Sequence, residues 1–177
     1  MIILTLGHVE RYKNPQTWIR VALKVRDVRP DAKFIWAGNG SLLRIFWNLS
    51  YNVQKDISFI GYQKDVDKLY KEATIYFQPS LIESQGMSVV DAMAYGLPCV
   101  TSDAGGLPEV IGTTGYLCPP NDIDMYVTAI IHLIDYEPLR NDMGRRAKER
   151  VEKLFSKEIQ DKKMKELYEN TDSIYNL

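Results

Sequence analysis

Residues 74–98 read TIYFQPSLIESQGMSVVDAMAYGLP, and this stretch decides the fold class. The apolar run at residues 74–77 predicts a buried strand that ends before Pro79. Residues 86–95 predict a helix, because small and apolar side chains dominate there and Gly96 provides a typical helix end. A strand joined to a helix by a short polar loop is the repeating unit of α/β proteins.

The same unit recurs on both sides of this stretch. Further strands are predicted at residues 2–6, 34–37, 57–60, 98–101 and 115–118. Helices are predicted after Asn14-Pro15, from Ser41 through Trp47, and at residues 66–71. Strands that alternate with helices through short loops predict an α/β fold, with a parallel sheet covered by helices on both faces. We expect residues 1–120 to form this alternating core.

Residues 121–177 predict a helical C-terminal segment. One apolar stripe has helical spacing and comprises Val127, Ile130, Ile131 and Ile134. A charged stretch at residues 140–166 carries a second stripe of Val151, Leu154, Phe155 and Ile159. Basic residues outnumber acidic ones in this stretch, so a membrane or nucleic-acid patch has to be considered. Because acidic residues are interleaved throughout, the pattern favours the solvated face of an amphipathic helix pair.

Length and composition limit the class of protein. The 177 residues have the length of one domain, so we expect a single domain over residues 1–177. The net charge is −1, from 22 basic and 23 acidic residues, and it gives no electrostatic reason to expect nucleic acid or an anionic membrane as a partner. Cys99 and Cys118 are too few for a disulfide framework and lack metal-ligand spacing. A reducing, cytoplasmic compartment is therefore expected.

The chemistry is expected in the loops that follow the strands, since open parallel sheets bind ligands at the carboxyl ends of their strands. The amides of Gly86, Met87 and Ser88 open a predicted helix, where they can hold a phosphate. Asp91 lies about 7.5 Å further along the helix axis. With Glu83 in the preceding loop, this layout suits a diphosphate between two polyol rings. Individually, Glu83 is typical of a solvated loop carboxylate and Asp91 of a helix-surface charge; together they favour a site.

These residues also resemble a known family over Leu4 to about Asp122. The donor-binding half of the family 4 (group 1) glycosyltransferases, which have the GT-B fold, is similar in the order and spacing of several motifs. The matching segments are Gly7 with Lys13, Gly38-x-Gly40, Phe59-Ile60-Gly61-Tyr62, Pro79-Ser80, Glu83, Asp91-Ala92-Met93-Ala94-Tyr95-Gly96-Leu97-Pro98, and Gly105-Gly106. The resemblance implies that the sheet is Rossmann-like and forms the second half of a GT-B fold.

The resemblance also implies roles for individual residues. Lys13 would neutralise the donor diphosphate and Glu83 would bind hydroxyls of the transferred sugar, which makes these two the catalytic candidates. Asp91 stands where the family has a ribose-binding Glu, and Gly105 and Gly106 would pack behind the site. The implied donor site comprises Gly7, His8, Lys13, Gly38, Gly40, Gly61, Tyr62, Glu83, Ser84, Gln85, Gly86, Met87, Ser88 and Asp91.

Two positions depart from the family pattern. His8 stands where the family usually has Arg, and a histidine is largely neutral near pH 7. Asp91 is one methylene shorter than the usual Glu. With His8, one fixed positive charge on the diphosphate would be missing, unless Arg11 supplies it. At Asp91, either a small shift of the helix restores the bond to the ribose or donor binding is weaker. The departures also favour, slightly, a non-catalytic nucleotide-sugar-binding module as an alternative to an enzyme.

The implied reaction is a retaining transfer of a sugar from a nucleotide-diphosphate sugar to a glycan or lipid-linked acceptor, as in polysaccharide biosynthesis. A nucleotide-sugar epimerase with the GT-B fold is a second enzymatic alternative. The family typically needs no metal for this reaction, so the resemblance implies that neither a cofactor nor a metal is required. The family has two domains, so an N-terminal acceptor domain is expected to be missing and the isolated chain to be inactive. Only that domain would place the full-length protein at the inner face of a membrane.

Overall fold

A computed structural model of the chain describes residues 1–53 and 56–155, together with residues 159, 161 and 164–166; for residues 50–53 it describes only the backbone. Within these residues the chain forms one six-stranded sheet. In chain order its strands are β1 (Ile2–Leu6), β2 (Lys33–Ala37), β3 (Ile57–Gly61), β4 (Ile75–Gln78), β5 (Cys99–Ser102) and β6 (Tyr116–Cys118).

Helices connect the strands and follow the last of them. In chain order they are α1 (Pro15–Val28), α2 (Leu43–Val53), α3 (Val66–Glu72), α4 (Met87–Ala94), α5 (Leu107–Ile111), α6 (Ile123–Asp135) and α7 (Glu137–Leu154). A short 3-10 turn at Arg11–Lys13 precedes α1. The side chain of Asn14 accepts a hydrogen bond from the Thr17 amide and Pro15 opens α1, which explains why this helix begins where the sequence predicted it.

The strands lie in the order β3-β2-β1-β4-β5-β6 and every pair is parallel. The chain moves outward from β1 to β3, returns to place β4 on the other side of β1, and then moves outward again. The strand order therefore reverses between β1 and β4. At such a reversal the loops leave in opposite directions and open a crevice at the carboxyl ends of the strands.

Two apolar clusters cover the two faces of the sheet. One packs α1, α2 and α6 against the strands and centres on Trp18, which is fully buried. The other packs α3, α4, α5 and most of α7 against the opposite face. Helices on both faces of an all-parallel sheet confirm the predicted Rossmann-like α/β class. Of the first predicted stripe, Ile130 and Ile134 are buried, while Val127 and Ile131 pack at its margin.

Three local features differ from the sequence prediction. Ser41 was predicted to cap α2 but does not, because its amide and hydroxyl both donate to the Glu10 carboxylate at 2.6 Å and hold a turn there, and the helix begins at Leu43. Helix α5 was not predicted, since it is only five residues long. The second amphipathic helix ends at Leu154, and the predicted continuation to residue 166 falls largely outside the described residues.

Among the described residues, no helix is both long and apolar enough to cross a membrane.

Candidate functional site

A cavity of about 680 Å³ opens at the crevice between the ends of β1 and β4. Its wall combines the loop after β1, the loop after β4, the first turns of α4 and one edge of α3. Ten of the fourteen predicted donor-site residues line it: Gly7, His8, Lys13, Glu83, Ser84, Gln85, Gly86, Met87, Ser88 and Asp91. The topology thus brings together two loops that lie about 70 residues apart in the sequence.

The other four predicted residues lie elsewhere. Gly38 and Tyr62 line an adjoining cavity of about 280 Å³ that shares Gly7 and His8 with the first. Gly40 faces the backbone of the β1 loop, because a Cβ at this position would lie 2.4 Å from the Val9 carbonyl oxygen. Gly61 borders a separate hollow between β3 and α2. Gly40 and Gly61 thus do not line the main cavity, and their roles in donor binding stay predictions.

An ion pair between Lys13 and Glu83 lies in the wall of the main cavity. The Lys13 ammonium contacts Glu83 Oε2, and the two side chains are only 12% and 11% exposed. Lys13 ends the 3-10 turn after β1, and Glu83 lies in the loop after β4. The pair therefore joins the two sides of the crevice at the place where a charged ligand would enter.

Gln78 is a member of this site that the sequence analysis missed. It is the last residue of β4 and is buried, and its Nε2 donates to Glu83 Oε2 at 2.7 Å. Its Oε1 accepts from the Ser88 hydroxyl at 3.0 Å and lies 3.0 Å from the Tyr76 hydroxyl. A polar residue at the end of an apolar strand was the available signal, but the strand was predicted to end at Phe77. Gln78 thus links the Glu83 loop to the first turn of α4.

The N-terminus of α4 points into the cavity. Gly86 precedes the helix, and its carbonyl accepts the first bonds, from the Val89 and Val90 amides. The amides of Met87 and Ser88 come before these first intrahelical donors and are free to bind an external acceptor. Together with the partial positive charge of the helix end, they provide a place for a phosphate.

Asp91 is the fifth residue of α4 and lines the same cavity as the loop after β1. Partial desolvation raises the pKa of its carboxyl above the ordinary value. Nearby, the Tyr70 hydroxyl donates to the Ser88 carbonyl at 3.0 Å, and this bond ties α3 to the first turn of α4. The Asp91 side chain is exposed, so its carboxylate can accept a hydrogen bond from a hydroxyl group of a ligand in the cavity.

Two glycines support the Glu83 loop from behind. Gly105 has a φ of +57°, and a Cβ there would come within 1.8 Å of the Glu83 carbonyl oxygen. The Gly106 amide donates to the same oxygen at 3.0 Å, and a Cβ on Gly106 would meet the Ser84 carbonyl oxygen at 2.3 Å. Only glycine permits this close approach. The packing role that the resemblance implied for these two residues agrees with their position.

Of the two residues at issue for an additional positive charge, His8 lines both cavities. Arg11 is exposed and is not among the residues that line the main cavity, so its position gives no support to a compensating charge. Across the described part of the chain, no group of three or more His, Cys, Asp or Glu side chains is arranged to hold a metal ion.

Comparisons with known proteins agree with this architecture. The family model for glycosyl transferases group 1 matches residues 1–150. The N-acetyl-alpha-D-glucosaminyl L-malate synthase of Bacillus anthracis is 32% identical over 163 residues, which is 89% of this chain and 42% of that protein. The chain therefore spans less than half the length of this relative.

Two solved structures have the same fold. The C-terminal domain of the group 1 glycosyl transferase LpcC from Francisella tularensis superposes with a TM-score of 0.78 at 23% identity, covering 88% of this chain and 86% of that one. Anabaena HepE, solved in complex with UDP-glucose, gives a TM-score of 0.85 at 18% identity, covering 96% of this chain and 48% of that one. Because the family model covers most of its length, this chain belongs to the glycosyl transferases group 1 family, whose structural neighbours have the GT-B fold.

Proposed function

We propose that this chain is the donor-binding half of a retaining glycosyltransferase, which moves a sugar from a nucleotide-diphosphate sugar to a glycan or lipid-linked acceptor. The observation that carries the proposal is the Lys13–Glu83 pair facing the N-terminus of α4 across one cavity. A cation and free amides suit a diphosphate, and a carboxylate beside them suits sugar hydroxyls. Acceptor recognition belongs to a part of the protein outside this chain.

The donor is proposed to lie along the crevice. Its diphosphate contacts Lys13 and the amides of Met87 and Ser88, and the transferred sugar contacts Glu83. The ribose reaches Asp91 on the second turn of α4. The base then lies near the adjoining cavity, where Tyr62 forms part of the wall. The UDP-glucose bound in Anabaena HepE makes uracil the first base to test.

The chemical role of these groups is electrostatic. As the bond between the sugar and the diphosphate breaks, negative charge develops on the departing phosphate. Lys13 and the helix amides are already in place to stabilise that charge, which lowers the barrier without reorganisation. The acceptor oxygen is proposed to attack from the same face that the diphosphate leaves, which retains the configuration. No metal is required in this scheme.

A donor screen tests the proposal. The chain is heated with UDP-, GDP-, ADP- and dTDP-linked sugars, and the melting temperature is recorded for each. A donor at a hundred times its Kd adds about 2.7 kcal/mol of apparent stability. For a chain of this length, that raises the melting temperature by about 5–10 °C. If no nucleotide sugar changes the melting temperature and calorimetry detects no heat, the proposal is wrong.

The full-length protein then distinguishes transfer from the other two functions. Sugar appearing on an added glycan or lipid-linked acceptor supports the transferase. An epimerised free nucleotide sugar, without acceptor product, would instead identify an epimerase. Binding without either product would identify a non-catalytic binding module.

The Asp91 carboxylate is expected to lower the stability of the fold at pH 7 and to increase the affinity for the donor. The pKa of Asp91 is higher in the folded chain than in the unfolded chain, where it is about 3.9. The folded chain therefore loses stability as the pH rises from about 3.9 through the pKa of the folded state. Asp91→Asn should therefore raise the melting temperature slightly at pH 7, and this gain should vanish below about pH 4. Donor affinity should fall about tenfold, because a charged hydrogen bond to the ribose is replaced by a neutral one. Melting curves at several pH values and calorimetry measure both effects; a lower melting temperature at pH 7 would contradict the assignment.

A further inference from the structure

The two side chains proposed to bind the diphosphate and the transferred sugar of the donor are bound to each other in this structure. Lys13 contacts Glu83 Oε2, and it forms no other ion pair with the described residues. Both side chains are almost completely withdrawn from water. A ligand that needs the Lys13 charge must therefore compete with Glu83 for it.

Glu83 is held in place by more than Lys13. Gln78 Nε2 donates to the same oxygen, Oε2, at 2.7 Å, and Gln78 is itself buried and bonded to Ser88. The described residues donate no hydrogen bond to the second oxygen, Oε1. The carboxylate thus keeps its position if Lys13 turns toward a phosphate, and Oε1 has no donor among the described residues.

This arrangement affects a bare nucleoside diphosphate and a nucleotide sugar differently. A bare diphosphate draws Lys13 away from Glu83 and leaves a nearly buried carboxylate without its cation, which is unfavourable. A nucleotide sugar also draws Lys13 away from Glu83, but a hydroxyl group of its sugar can donate a hydrogen bond to Glu83 Oε1. That charged hydrogen bond offsets the loss of the ion pair.

We infer that Glu83, through its pair with Lys13, is a specificity-determining residue that disfavours the bare nucleoside diphosphate relative to the sugar-linked donor. This inference rests on the proposed function, since it assumes that the diphosphate contacts Lys13. The inference compares the binding free energy of the sugar-linked donor, before transfer, with that of the bare nucleoside diphosphate, after transfer. The product left by the reaction is a bare nucleoside diphosphate, so the pair re-forms behind it and favours its release.

Glu83→Gln tests the inference, since it removes the charge and preserves the shape. Calorimetry on the chain measures the Kd values of UDP and UDP-glucose, and the matching GDP and ADP pairs are measured in the same way. The variant should bind the bare diphosphate about five- to tenfold more tightly, whereas it should bind the sugar-linked form no more tightly than wild type. An unchanged ratio of the two Kd values, or equal weakening of both ligands, overturns the inference.

A double-mutant cycle shows whether Glu83 acts through Lys13. In a Lys13→Met background, the tightening caused by Glu83→Gln should fall below about twofold, because there is no longer a cation to release. The same tightening in both backgrounds would mean that Glu83 repels the phosphate directly, which also overturns the inference. Glu83→Asn is a second neutral variant if Glu83→Gln does not fold.

Asp124→Asn is the matched control. It removes a carboxylate from an exposed pair with Lys24, far from the cavity, and should leave both Kd values unchanged. The failure of the inference differs from the failure of the proposed function. If wild-type chain binds neither member of any pair, the proposed function is wrong; if it binds both and Glu83→Gln leaves their ratio unchanged, only the inference is wrong.

Discussion

Replacing Lys13 with Ala is expected to lower the turnover of the full-length protein by about a hundredfold or more. The proposed reaction leaves new negative charge on the departing diphosphate, and Lys13 is the cation that lines the cavity beside the free end of α4. Removing one preorganised group that stabilises such charge typically lowers kcat by about 10²–10³. Because the charge develops only during bond breaking, kcat and kcat/KM should both fall.

The measurement compares initial rates at saturating donor. Lys24→Ala is the control, since it removes a lysine from the exposed pair with Asp124 on the surface formed by α1 and α6. Its turnover should equal that of wild type. If Lys13→Ala keeps at least a third of the wild-type kcat, Lys13 does not stabilise the leaving group and the proposed mechanism is wrong.

Replacing Trp18 with Ala is expected to lower the free energy of unfolding by about 4 kcal/mol. Trp18 is fully buried at the centre of an aromatic cluster, with ring centroids 5.7 Å from Phe34, 5.4 Å from Trp36 and 5.0 Å from Phe59. Its indole N–H donates to the Thr5 hydroxyl at 2.7 Å. The substitution removes this bond and leaves a cavity between α1 and the sheet that rigid neighbours cannot fill.

Urea unfolding measures this loss, and the melting temperature should fall by about 8–16 °C. Val28→Ala is the control on the same helix, since Val28 is 52% exposed at its last position and should change stability by less than about 0.5 kcal/mol. Trp18→Phe should lie between the two, because it keeps most of the packing and loses the hydrogen bond. A loss below 1 kcal/mol for Trp18→Ala would show that the cluster does not support the fold as described.

The local elements could be predicted from the sequence because their signals lie between neighbouring residues. The apolar run before Pro79 placed β4 within one residue, and Asn14-Pro15 located the start of α1. The loops that carry Glu83 and Lys13 were identified for the same reason, since each follows a short apolar strand. The same local reading failed at Ser41, whose amide and hydroxyl are bound by Glu10, a residue 31 positions earlier.

Gln78 shows why part of the site could not be predicted. As a residue after an apolar run it is typical of a solvated loop, yet strand pairing extends β4 through it and buries its amide between Glu83 and Ser88. Its three partners, Tyr76, Glu83 and Ser88, all lie within ten residues of it, but they belong to a strand, a loop and a helix whose contacts arise only on folding. Gly40 depends on long-range packing in the same way, because a Cβ there would meet the backbone of Val9, and Gly40 does not line the main cavity.

The sequence by itself determined which segments are strands and helices, which loops follow the strands, and which of their side chains carry charge. Only the tertiary structure decided that β4 lies beside β1, and therefore that Lys13 meets Glu83 across 70 residues. The physical reason is that periodicity and helix caps are local, whereas strand order follows from burying both faces of one sheet at once. The ion pair between Lys13 and Glu83 is a consequence of that packing.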